Sequence, residues 1–166
     1  AALASDVIGD GPHRVAFLHG LMGRGRNFTG PAKALADDFT VELLDLPDHG
    51  RSPWTDRVDY QEIADRVAEH LRAGLAADGP VHVLGHSMGA GIASMVAAAA
   101  PGRIEALVAI EALGGLSAPE DETASRLRDH LAAVRALPSK RLRVFPDLAA
   151  PVRARMMANQ LGEDAA

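Results

Sequence analysis

Four short apolar runs punctuate the first two thirds of the chain: Arg14–Leu18, Thr40–Leu44, Val81–Leu84 and Ile104–Ile110. Each is rich in Val, Leu and Ile and gives way to Gly, Asp or Glu, the pattern of a buried parallel strand. Between the second and third runs the apolar period lengthens. Ile63, Val67, Leu71 and Leu75 form one stripe behind Asp59, a good N-cap with Glu62 three residues on. A shorter helix is predicted to start at Pro31, a favoured first helical position, and another to run from Ser87 to Ala100 before Pro101-Gly102. Residues 2–8 can add an earlier strand. Strands alternating with helices predict βαβ units, hence an α/β fold with a mostly parallel sheet.

After Gly115 the alternation stops. Residues 117–166 read as helices only, Glu120 to Ala136 with Leu127, Leu131 and Val134 on one side, then roughly Leu148 to Leu161. Pro138, Pro146 and Pro151 punctuate that stretch. Two segments are therefore expected: 1–116 as the α/β core and 117–166 as a helical segment. Such a segment serves as a cap or lid over a site, or as packing.

Composition narrows the function classes. With 48% apolar and 23% charged residues the chain can bury a core. The formal charge of −5 argues against a nucleic-acid partner, which needs a basic face. Without cysteine, disulfide scaffolds, thiolate zinc sites and cysteine nucleophiles are excluded. The longest apolar run, Met88 to Ala100, is too short to span a bilayer, and no signal peptide is visible at the N-terminus. A soluble, cytoplasmic protein is expected. The missing initiator Met suggests processing or a fragment.

The chemistry is concentrated in Gly85-His86-Ser87-Met88-Gly89, a G-x-S-x-G pattern between a strand and a helix. There a sharp turn presents a serine above the sheet, and glycines two residues either side avoid colliding with it. Ser87 then sits at a helix N-terminus, where exposed N–H groups favour negative charge. A tetrahedral intermediate needs two donors aimed at its oxyanion. The N–H of Met88, next after the serine, is one candidate. Leu21, in the His19-Gly20-Leu21-Met22-Gly23 loop after the first strong strand, is the other.

These segments carry a resemblance. F-L-H-G-L-M-G at 17–23, L-D-L-P-D-H-G-R-S-P at 44–53, L-G-H-S-M-G at 84–89 and L-V-A-I-E at 107–111 resemble the α/β-hydrolase superfamily. Within it the chain is most similar to small bacterial serine carboxylesterases with a helical cap. Ala90 departs from the family, which usually has a second glycine there. The resemblance implies an α/β-hydrolase fold and an acyl-enzyme on Ser87, formed from a small or medium carboxylic ester or thioester without metal or cofactor. It also implies two further strands after the cap and a catalytic histidine in the last loop. Only His130 follows Ser87 in this sequence, and its surroundings do not match that loop. The base is therefore expected outside these residues, and the isolated span is expected to be inactive. In the esterases most resembled, an Asp at the end of the 104–110 strand can serve as the acid. Glu111 occupies that place, as the acid or as a solvated strand-end carboxylate.

Other features carry less. Asp45, Asp48 and His49 look like a metal cluster but fall inside the family's loop, and His82 and His86 flank a strand end rather than share a helix face. Arg126, Arg128, Arg135, Lys140, Arg141 and Arg143 make the helical segment locally basic, by default a solvated face. Leu21, Met22 and Met88 suit an acyl group beside the oxyanion donors. The same fold also supports lyases, enol-lactonases, C–C hydrolases and cofactor-free haloperoxidases. A non-catalytic binding protein is the rival from another class.

Overall fold

The computed structural model describes residues 2–55, 59–75, 79–112, 119–136, 144–147 and 149–158. Lys140, Arg141, Arg143, Leu148 and Leu161, named above, lie outside them. The chain divides into two compact units, residues 1–116 and 117–166.

The first unit is built on five strands: β1 (Ser5–Ile8), β2 (His13–Leu18), β3 (Phe39–Leu44), β4 (Val81–His86) and β5 (Ile104–Ile110). Their spatial order is β1-β3-β2-β4-β5. β1 runs antiparallel to β3, and the other pairings are parallel. Strand β4 runs two residues further than its apolar run, so Gly85 and His86 still pair with Ala109 and Ile110. Backbone pairing, not hydrophobicity, carries the strand into the turn.

Alternate residues of each strand feed opposite faces. Leu18, Leu44 and Val83 pack under α2 (Tyr60–Ala73) and α3 (Met88–Ala99), against Ile63, Val67, Ile92 and Val96. Val15, Phe17, Val41 and Leu43 pack on the other face against Ala32, Phe28 and Leu35. The Asp59 carboxylate caps α2, accepting the N–H groups of Gln61 (2.9 Å) and Glu62 (3.3 Å). Helix α1 (Thr29–Ala34) starts two residues before Pro31 and continues a 3-10 turn over Gly25–Phe28. Pro31 is tolerated there because the first-turn N–H groups lack intrahelical partners anyway.

The second unit contains a 3-10 turn at Glu120–Glu122, α4 (Thr123–Ala136) and α5 (Ala149–Ala158). Arg126 pairs with Glu122 one turn earlier at 2.9 Å, and the Asp147 carboxylate accepts the Ala150 N–H at 2.7 Å. His130 lies on α4. Among the described residues no helix is long and apolar enough to cross a membrane.

Candidate active site

Ser87 joins β4 to α3 with φ 52° and ψ −121°, a backbone conformation costly for any residue with a Cβ. The two glycines around it are required by close approach. A Cβ on Gly85 would lie 2.4 Å from the Gly89 carbonyl oxygen, and one on Gly89 would lie 2.2 Å from that of Leu18. Ala90 is fully buried in the core, so its methyl group packs where the family usually has glycine. The Ser87 N–H donates to the Ile110 carbonyl at 2.8 Å, which fixes the turn beside the end of β5. Met88 is the first residue of α3, and its N–H has no intrahelical acceptor.

The turn over residues 20–23 lies against the serine. It closes with the Gly23 N–H on the Gly20 carbonyl at 2.9 Å, and a Cβ on Gly20 would fall 3.2 Å from that of Ser87. Two histidines tie this turn to the loop after β3. Buried His19 donates from Nδ1 to the Gly20 carbonyl (2.8 Å) and accepts the Leu46 N–H at Nε2 (3.0 Å). His49 donates from Nδ1 to the Pro47 carbonyl (2.9 Å) and accepts the Met22 N–H at Nε2 (3.3 Å). Burial, outweighing the bond to Gly20, holds the His19 imidazole below its ordinary pKa, so it stays neutral and keeps that tautomer. Met22 is held at φ 60°, a left-handed conformation rare for its type.

Asp45 organises the same loop from below. Its carboxylate accepts the N–H groups of Gly25 (2.8 Å) and Arg51 (2.9 Å). Burial opposes its charge, but these bonds outweigh it and hold the carboxyl below its usual range. Asp48 is taken up by the Thr55 hydroxyl at 2.9 Å. Among the described residues no three His, Asp or Glu side chains converge as metal ligands would.

Ser87 opens into an apolar cavity of about 600 Å³, lined by Tyr60, Met88, Ile92, Met95 and Glu111 among others. Leu21 and Met22, assigned above to an acyl pocket with Met88, do not line it. Their side chains are exposed. Glu111 stands at the end of β5 with φ 65°, and its Oε2 lies 2.9 Å from His86 Nε2. Among the described residues no histidine is hydrogen-bonded to the Ser87 hydroxyl. Tyr60, Ile92 and Met95 were not singled out in the sequence. The spacing Met88, Ile92, Met95 along one helical face held the signal, whereas Tyr60 enters only through the packing of α2 on α3.

A family profile described as alpha/beta hydrolase fold matches residues 14–160, and the chain belongs to that family. Its relatives include a pimeloyl-[acyl-carrier protein] methyl ester esterase of Chromobacterium violaceum, 37% identical over 63% of this chain and 39% of that protein. Lipase LipV of Mycobacterium tuberculosis is 34% identical over 77% of this chain and 46% of that protein. Among solved structures, a thioesterase domain from the curacin biosynthetic pathway superposes with a TM-score of 0.78. It is 26% identical, covering 98% of this chain and 60% of that one. The chain thus spans less than half the length of the two curated relatives.

Proposed function

We propose that the whole protein is a serine hydrolase that cleaves a small or medium carboxylic ester or thioester through an acyl-enzyme on Ser87. The observation that carries this reading is the strained serine at φ 52°, opening into an apolar cavity whose rim also bears Glu111. Backbone strain of this kind persists only where the surrounding structure enforces it, and it collects at reactive sites.

In the first half-reaction the Ser87 hydroxyl oxygen attacks the acyl carbon while a histidine beyond residues 1–166 takes its proton. The N–H groups of Leu21 and Met88 hold the oxyanion, and Glu111 orients the imidazole and stabilises its cation. The Glu111 oxygen not engaged by His86 is free to accept that bond, since a carboxylate has about four acceptor sites. Collapse of the intermediate breaks the bond to the alcohol or thiol, which leaves with the proton held by the histidine. Water then gives its proton to the same histidine and attacks the acyl carbon. The second collapse returns that proton to the serine and releases the acid. Neither metal nor cofactor is needed. Residues 117–166 form part of the cap in this reading, and the enzyme is cytoplasmic.

The similarity to proteins named as esterases, a lipase and a thioesterase supports ester or thioester hydrolysis over the other reactions of the fold. The test is turnover of short p-nitrophenyl esters by the whole protein and by its Ser87→Ala variant. Loss of several orders of magnitude in kcat is expected. Substantial turnover by the variant would remove Ser87 from the mechanism.

A further inference from the structure

A second cavity, of about 340 Å³, opens beside β1 and β3, lined by Asp6, Ile8, Arg24, Arg26, Leu43 and Arg51 among others. None of its lining residues lines the Ser87 cavity. We propose that it binds a small organic anion bearing a phosphate or carboxylate group. Three guanidinium groups and the Asp6 carboxylate line it, and with Asp45 beside Arg51 as a second negative charge one positive charge is left in excess, on a chain whose formal charge is −5. The excess is local rather than a general basic surface.

The three arginines are not equivalent. Arg51 is already engaged, with Asp6 at 2.9 Å and Asp45 at 3.4 Å. Arg24 and Arg26 make no ion pair among the described residues, although Arg24 lies near enough to Asp45 to help hold that carboxyl low. Guanidinium forks match the two-oxygen edge of a phosphate or carboxylate. Ile8 and Leu43 add apolar wall, which suits a ligand with a short carbon skeleton rather than a bare inorganic ion. The volume is at the small end of ligand cavities, roughly 300–1,000 Å³.

Calorimetric titration of the whole protein with butyl phosphate, butyrate and inorganic phosphate at constant ionic strength tests this. Saturable one-to-one binding is expected, with butyl phosphate or butyrate tighter than inorganic phosphate. The first two separate phosphate from carboxylate preference. Arg24→Gln and Arg26→Gln should each weaken the better ligand about tenfold or more, whereas Asp6→Asn should tighten it by removing the opposing carboxylate. Arg26 is exposed, so its variant should keep the unliganded Tm and remains informative if the Arg24 variant unfolds. Protein inactivated at Ser87 by a phosphonate should bind equally well, which separates this site from the proposed active site. No saturation by roughly 10 mM of any of the three anions, or affinity unchanged in Arg26→Gln, would overturn the proposal.

Discussion

His86 and Glu111, twenty-five positions apart in sequence, meet with Nε2 and Oε2 2.9 Å apart at the ends of neighbouring strands. The parallel register sets His86 opposite Ile110, so the two side chains follow one another around the rim of the sheet. His86 also packs edge-on against Phe28, on the sheet face opposite α3. It therefore anchors the carboxylate from one side, and the cavity of Ser87 lies on the other.

The first prediction concerns that carboxylate. In the whole protein, Glu111→Gln should slow acylation by about 10²–10⁴-fold while a non-reactive substrate analogue binds as before. Glu111→Asp should keep substantial activity. Pre-steady-state acylation rates decide it, and a near-wild-type rate for Glu111→Gln would assign the acid to another residue.

The clamp between the two loops gives a second. His49→Phe removes the acceptor of the Met22 N–H and frees the turn that presents Leu21. Loss of one oxyanion donor costs about 10²–10³ in kcat, and loosening one should cost less, about tenfold or somewhat more. The loss should fall on kcat with KM nearly unchanged. An equal rise in KM with constant kcat would instead place the turn in ground-state binding.

Much of this was legible in the sequence, and the part that was not has a physical reason. The glycines at 85 and 89 and the Asp59 cap are local requirements of one turn or one helix end, so residue type and spacing reveal them. The His86–Glu111 pair and the entry of Tyr60 into the cavity depend on strand register and helix packing, which no local pattern encodes. The start of α1 at Thr29 rather than Pro31 has a related reason: Pro is compatible with several positions in a first turn. The motif places Leu21 in the loop after β2, but the outward turn of its side chain goes with the loop's ties to Leu46 and His49, which no local pattern encodes.

Acid stability provides a third prediction. The carboxyls of Asp45 and Glu42 are both lowered in the fold. In each, burial resists the charge, and it is outweighed at Asp45 by backbone N–H groups and at Glu42 by His70 and Ser5. A lowered pKa means the unfolded chain binds the proton more tightly. Each group therefore contributes its full stability above the unfolded carboxyl pKa of about 4 and loses it as pH falls through the folded value. Tm should decline below about pH 4. Asp45→Asn should lower Tm at pH 7, with the gap to wild type narrowing in acid. A gap constant with pH would show that Asp45 acts without its charge.

Close packing at the elbow provides a fourth. Gly89→Ala forces a methyl group against the Leu18 carbonyl, a backbone atom that cannot swing away. The cost should be about 1–3 kcal/mol or more. Ser87→Ala, which keeps the Cβ but removes the hydroxyl, should leave Tm nearly unchanged. Comparable destabilisation by the two variants in thermal melts would contradict this account of the glycine.

The isolated span of residues 1–166 should fold its sheet yet hydrolyse short esters at no more than background. A serine hydroxyl without its base is a weak nucleophile near neutral pH, and residual oxyanion stabilisation gives only about 10³-fold over water. Circular dichroism and a parallel assay with the whole protein check it. Full-rate turnover by the span would mean that one of its own histidines is the base, with His130 the first to substitute.

The central claim is that Ser87 is the nucleophile, and the most direct measurement is the site of covalent modification by a fluorophosphonate. Treated whole protein, digested and analysed by mass spectrometry, should carry one adduct on the peptide containing Ser87, with esterase activity lost in proportion to labelling. The Ser87→Ala variant should take up none. An adduct on a different serine, or a folded, ester-cleaving protein that the reagent leaves unlabelled, would contradict the account.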